Sequence, residues 1–305
     1  MMVTKNSNRS ITLYPGSNNT GEEKTRAEII ASQHDTGESL NRKIIATYLA
    51  GYKTISIKSK GVRIQPEHAR VVRNLVRTSM IGTEIVGSSS EMITVQILTR
   101  LPELSFETAL KRVYLMASNM HKESIECLST GDVEHAEEIV RMDDEVDRFS
   151  LYMRRNLTLA VENANILKDM GLSRPSDCLG YRTVIGRIER IADHAVLIAK
   201  RVKFLEEPIE PKIMKKISKI SEDSLQVFEE SINALLNKDY ELAESTAEKI
   251  NKVIEVEKNF MSGIKESMKN STVLRFVLED IRRTAEYSSD IIEVAIDENI
   301  GNVIN

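Results

Sequence analysis

The sequence is short of the residues that break helices or staple small folds. Its 305 residues include only 13 glycines and 6 prolines, roughly 4% and 2% where about 7% and 5% is usual. So few breakers in so long a chain favour long helices. The two cysteines, Cys127 and Cys178, have no C-x-x-C spacing, which excludes a zinc knuckle or redox pair and leaves two reduced packing residues. Tryptophan is absent and aromatics are 5%, too few for a sugar-stacking platform or a quaternary-amine cage. No run of 18 apolar residues occurs, so no membrane-spanning helix and no membrane insertion are expected. The first ten residues lack an apolar h-region, so a secretory signal is not expected either. The expectation is a cytoplasmic protein. What the chain has in plenty is charge, 29% of residues, beside 41% hydrophobic. That balance belongs to a globular chain with a core of its own.

Charge is unevenly divided. Residues 1–100 carry 14 Lys and Arg against 8 Asp and Glu, whereas the remainder carries 28 against 38. Seven of the 13 glycines precede residue 90. A small, basic, turn-rich part (1–100) therefore precedes a large, acidic, breaker-poor part, with the boundary near Leu101-Pro102-Glu103-Leu104. In the first part, residues 10–14 read as a strand ended by Pro15-Gly16, and a helix is expected from about Glu22 to the turn at His34-Asp35-Thr36-Gly37. After that interruption helical spacing resumes from Leu40 to Ala50 and stops at Gly51. Lys53 to Ser59 alternates polar and apolar, the period of a half-buried strand. Pro66 opens a helix at its first turn, where a missing N–H costs least. Glu84–Gly87 and Met92–Leu98 read as two strands joined at Ser88-Ser89-Ser90. The order β-α-β-α-β-β gives a small α/β domain.

From Ser105 the period is helical. One helix is expected to Ser129. The next, capped by Asp132, is expected to run to Met170 before Gly171, and a third from about Pro175 to before Pro208. Pro211 opens a second set: to Asn237, then to about Lys269, then Ser271 to Glu298. Thr130-Gly131-Asp132 followed by Ala136 matches Asn237-Lys238-Asp239 followed by Ala243, and Glu189-x-x-x-Asp193 matches Glu286-x-x-x-Asp290. This is an internal repeat. The expected fold class is mainly α: two tandem three-helix bundles, residues 101–207 and 208–305, preceded by the α/β domain.

Val184, Ile188, Ile191, Ala195, Ile198 and Val202 form the apolar stripe of the third helix, with Glu189 and Asp193 one turn apart at its flank. Asp143 and Asp147 flank the stripe of Ile139, Met142, Val146 and Met153 in the same way. Like charges four apart repel by a few tenths of a kcal/mol. A hard cation would relieve that, since it prefers carboxylate oxygens; so would a solvated acidic face screened by Arg187, Arg190 and Lys200. The spacing leaves both open. Measured from the hairpin near Gly171, the two pairs lie nine residues, about 13 Å, out of level, so a long or tilted connection is needed to bring them together.

The run Glu189-Arg190-Ile191-Ala192-Asp193-His194-Ala195, after Met142-Asp143-Asp144-Glu145-Val146-Asp147, resembles the PhoU family of phosphate-uptake regulators, and the two-repeat organisation fits over residues 103–300. Ala46 to Ile55 and Ile81 to Val86 resemble the α/β segment of archaeal members, in which an AbrB-type DNA-binding hairpin precedes that segment; here the hairpin is expected to be missing or truncated. The resemblance implies a cytoplasmic negative regulator of phosphate uptake and homeostasis that acts through contact with the phosphate ABC transporter and, in bacteria, a sensor histidine kinase. It also implies that E(D)-x-x-x-D motifs hold multinuclear iron or zinc. Carried over, the metal residues are Asp143, Asp147, Glu189 and Asp193, with Glu286 and Asp290 in the last helix. In the second repeat the counterparts of Asp143 and Asp147 are Ile250 and Ile254, and isoleucine cannot ligate a metal.

Other signals are weaker. Arg70, Arg73 and Arg77 could meet phosphate backbones of promoter DNA, the basis of an alternative reading as a transcriptional regulator. His194 reads as structural. No E-x-x-H, P-loop, G-x-G-x-x-G or nucleophile–base pair is present, so no enzymatic activity is expected. A homodimer is expected from the broad side faces of a long bundle.

Overall fold

The computed structural model describes residues 2–5, 11–14, 25–61, 63–98 and 105–300. The turn expected at Pro15-Gly16 and the boundary expected at Leu101-Pro102-Glu103-Leu104 lie outside the described residues. The chain falls into two units. One comprises Met1–Glu103 with Arg154–Pro175; the other comprises Leu104–Met153 with Ser176–Asn305.

The first unit opens with an antiparallel pair, β1 (Met2–Lys5) and β2 (Ile11–Tyr14), in which Met2 pairs with Tyr14 and Lys5 with Ile11. A four-stranded sheet follows, built from β3 (Arg26–Ala31), β4 (Thr54–Ser59), β5 (Thr83–Ser88) and β6 (Met92–Ile97) in the order β3-β4-β6-β5. The β3–β4 pair is parallel and the other two are antiparallel. Helices α1 (Gly37–Leu49) and α2 (Pro66–Thr78) supply Leu40, Ile44, Tyr48, Val72 and Leu75 to a core shared with Ile55, Ile57, Ile93 and Val95 of the sheet. Alternation along β4 and β6 puts these residues on one face. The helix expected from about Glu22 is not found in the described part of that stretch, which is strand β3. Ile29 and Ala31 are buried while Ile30 is 56% exposed, a period of two. Parallel pairing with β4 gives the backbone of this segment its hydrogen bonds, and that tertiary partner overrides local helix preference.

Residues 154–175 complete this unit. Arg155 is 4% exposed and donates from its guanidinium to the carbonyls of Tyr48, Gly51 (3.1 Å) and Tyr52 (2.8 Å), at and just beyond the end of α1. Its guanidinium also lies 4.8 Å from the Tyr48 ring centroid. Gly51 has φ +95°, and a Cβ there would stand 2.9 Å from Leu159, so only glycine suits both the turn and the approach.

The second unit is helical. Its elements are α3 (Phe106–Thr130), the first part of α4 (Val133–Glu162), α6 (Asp177–Arg201) with a short 3₁₀ turn at Val202–Phe204, α7 (Pro211–Asn237), α8 (Tyr240–Ser262) and α9 (Ser271–Asn299). Side-chain caps start several of them: Ser105 accepts from Thr108 N, Asp132 from His135 N (2.9 Å) and Asp239 from Leu242 N (2.9 Å). Each repeat contributes three long helices, α3, α4 and α6, then α7, α8 and α9. The repeats join along α6–α9 and α3–α7.

Two helix ends differ from expectation. The helix expected to run to Met170 stops at Glu162, and Asn163 starts a separate α5 (Ala164–Asp169), its Oδ1 accepting from the amides of Asn165 and Ile166. The cap competes with helix continuation and wins. The helix expected to reach Lys269 ends at Ser262. There the chain turns so that Ile264 is buried, and Arg275 takes the Ile264 carbonyl at 2.6 Å.

Candidate functional site

Shortening the second helix removes most of the register problem. Asp147 lies fifteen residues before Glu162, and Glu189 lies twelve after Asp177. The two carboxylate pairs are therefore three residues, roughly 4.5 Å, out of level. The connection from Asn163 to Ser176, with α5 inside it, replaces the tight hairpin.

Asp143 and Asp193 share one electrostatic field. Burial pushes the Asp143 carboxyl up to about 7, and Asp147, Asp193 and Asp144 push the same way against Lys200. Among the described residues its buried Oδ1 has no hydrogen-bond partner. Partial desolvation raises Asp193 too, opposed by His194, Arg190 and Lys200. Glu189 is half-buried and Asp147 exposed. By donor chemistry this first-repeat set fits a hard cation: all its ligands are carboxylates, and one buried oxygen is unsatisfied. Among the described residues, however, no three His, Cys, Asp or Glu side chains converge as a ready metal-binding group.

The last-helix pair stands in different surroundings. Arg187 of α6 meets Asp290 at 2.6 Å. Glu286 is held by Arg282 (3.2 Å) and Arg283 (2.9 Å). Both arginines also hold Glu279. Beneath them Glu257, with no exposed surface, faces Arg282 at 3.4 Å, and burial pushes its carboxyl up to about 7. Arginine guanidinium is always charged, so each of these carboxylates already faces a countercharge, although among the described residues neither buried oxygen of Glu257 accepts a hydrogen bond. This set does not fit a metal.

Several polar residues lie at the heart of the unit, and of these only His194 is marked in the sequence. His121 of α3 is wholly buried between Ser221 of α7 (2.9 Å) and Thr284 of α9 (3.2 Å). Burial depresses its imidazole to about 4, so it is neutral and bridges two hydroxyls. His194 is structural: its Nδ1 lies 2.8 Å from Asp280, and its Nε2 3.4 Å from the Tyr287 hydroxyl. Asp280 is 2% exposed and is also paired with Arg201. The signal for these residues was a polar side chain on an apolar stripe, as with Ser224, Ser231 and Ser288. Both cysteines are buried with raised thiols, Cys127 up to about 11, which makes them poor nucleophiles. Arg70, Arg73 and Arg77 lie exposed on α2. A cleft of about 680 Å³ between the start of α7 and the end of α8, lined by Ile213, Lys216, Val256 and Phe260, includes none of the six candidate carboxylates.

The fold defines a class: tandem three-helix bundles, the first of which brings the Asp143 and Asp193 carboxylates of two helices within electrostatic reach. A family model for the PhoU domain matches residues 110–202, which make up most of the first repeat. Among solved structures, the phosphate transport system regulatory protein PhoU from Streptococcus pneumoniae matches with a TM-score of 0.55 at 20% identity, covering 66% of this chain and 96% of that one. PhoU from Pseudomonas aeruginosa matches with a TM-score of 0.54 at 15% identity, covering 64% and 96%. At these identities the likeness is one of fold. No curated protein sequence matches the chain. No helix among the described residues is long and apolar enough to cross a membrane.

Proposed function

We propose that this protein regulates phosphate uptake, as a negative regulator that acts by direct contact with components of a phosphate ABC transporter. The observation that carries this reading is the PhoU-domain match over residues 110–202, which falls on the first of two like bundles. The fold likeness to a phosphate transport system regulatory protein supports it. No step of the reading needs bond-making chemistry: what the surface offers is charge and shape. The helical part is acidic, with 38 Asp and Glu against 28 Lys and Arg after residue 100, and suits a partner that presents basic and polar groups.

The first-repeat carboxylates are where regulation would enter. Asp143, Asp147, Glu189 and Asp193 would hold iron or zinc, and the cation would supply positive charge between α4 and α6. Without it, burial and like charge keep a proton on Asp143 near neutral pH, which relieves the repulsion more weakly. The occupant of this site would thereby set how firmly α4 and α6 are held together, and so the face the first repeat shows a partner.

The test is deletion of the gene followed by phosphate uptake at high external phosphate. Uptake is expected to continue where the parent strain shuts it down, and the wild-type gene on a plasmid is expected to restore shut-off. The Asp143→Ala/Glu189→Ala gene product is expected to lose bound iron or zinc and to restore shut-off poorly. Capture of a phosphate-transporter ATPase subunit by the wild-type chain would support the contact. Uptake unchanged by deletion would sink the proposal.

A further inference from the structure

The two repeats can be laid over one another by sequence. Aligning Ala136 with Ala243 and Glu189 with Glu286 sets Asp143 against Ile250, Asp147 against Ile254, Ser150 against Glu257 and Ile185 against Arg282. Both losses of charge are matched by a gain. In the first repeat, Ser150 and Ile185 are buried and uncharged. In the second, Ile250 is buried and the charge has moved one turn along the helix to Glu257, opposite a new arginine.

Arg282 is not a loose surface arginine. Its side chain is 15% exposed and it meets Glu257, Glu279 and Glu286 together. Arg283 shares Glu279 and Glu286, and Arg187 takes Asp290. A divalent cation approaching Glu286 and Asp290 would have to displace three guanidinium contacts and would stand beside the positive charge of a nearly buried arginine, a costly state. We propose that Arg282 is the resident cation of the second repeat, standing where a diffusible metal would otherwise be needed, so that Glu257, Glu286 and Asp290 take up no metal and the two repeats are chemically unequal. The inference concerns the second repeat alone and holds whether or not the first repeat loads a metal.

One consequence is that neither chelation nor pH can strip this countercharge, because the guanidinium does not titrate in proteins. Any response to a diffusible cation is then confined to the first repeat.

The experiment is a Mn²⁺ titration of the chelator-stripped full chain, with bound metal counted by elemental analysis and thermal midpoints recorded alongside. Mn²⁺ suits oxygen ligands. Glu286→Gln/Asp290→Asn in the otherwise wild-type chain is expected to bind as many Mn²⁺ ions as wild type. Arg282→Gln, which takes the arginine from Glu257 and leaves Glu279 and Glu286 with Arg283 alone, is expected to gain one Mn²⁺ and a rise in midpoint of roughly 5–10 °C at a hundredfold excess over its Kd. Adding Glu257→Gln is expected to remove that gain. Loss of a bound Mn²⁺ in Glu286→Gln/Asp290→Asn would overturn the proposal, as would a folded Arg282→Gln chain that gains none. The first comparison decides the matter by itself if Arg282→Gln does not fold.

Discussion

Asp143 shows how one side chain can store a dependence on pH. Its ordinary value is 3.8, and in the folded chain burial and neighbouring carboxylates push it up to about 7. The folded state therefore binds its proton more tightly than the unfolded chain. The stabilisation that follows is fully present below about pH 4 and is lost as pH rises through about 7. An asparagine at this position, with nothing to titrate, would carry no such dependence. Asp143→Asn is expected to equal wild type near pH 4 and to exceed it at pH 8 in the presence of EDTA. The margin should be on the order of 1–2 kcal/mol, after discounting for the half-buried position. Urea melts at the two pH values check this, and the same difference at both would refute it. The carboxylates themselves were legible from their i, i+4 spacing, because a pair of like charges at the flank of an apolar stripe is conspicuous. Arg282 and Glu257 were not, since each looks ordinary until the fold sets α8 beside α9 and buries Glu257 completely.

Helices were easier to read than their ends. Pro211 and Asn237 bound α7 where the sequence placed them, because proline at the first turn and a left-handed cap leave strong local marks. Asn163 left no such mark: apolar residues continue on either side of it, and only its side-chain bonds to the amides of Asn165 and Ile166 show that one helix has ended and another begun. Strand β3 escaped for the opposite reason, in that its conformation is set by β4 far along the chain. Helix-to-helix fit is the least legible property of all. Gly180 of α6 looks like a weak point in a helix, yet a Cβ there would stand 2.7 Å from Val294 Cγ1 of α9. Alanine would gain about 1 kcal/mol in helix propensity but force a shift of a β-branched neighbour, typically about 1–3 kcal/mol. Gly180→Ala is thus expected to lose up to about 2 kcal/mol, with Gly180→Leu losing more. An alanine chain more stable than wild type in urea would contradict this close approach.

At the scale of the whole molecule, the fold class was legible, because two sets of three breaker-poor segments and a repeated motif leave little else. The membership of the first unit was not, since nothing in the run from Arg154 to Pro175 announces that it belongs with residues before 103. Arg155 closes the end of α1, and Leu157, Ala160, Leu167 and Met170 are buried. A fragment ending at residue 103 is accordingly expected to lack a cooperative thermal transition. A sharp transition with well-dispersed amide resonances would show that the later segment is dispensable.

That discontinuity orders the making of the protein. The last strand of the sheet is complete at Ile97, but Met170 is added about 70 residues later, some 4–15 s at ribosomal speeds of roughly 5–20 residues per second. For that interval the newborn sheet and its two helices wait without the guanidinium of Arg155 at the end of α1, while α3 and α4 emerge between the halves of an unfinished unit. Nascent chains of this protein should therefore be clients of whatever holds half-made polypeptides at the ribosome, and codons between residues 98 and 170 set how long that custody lasts.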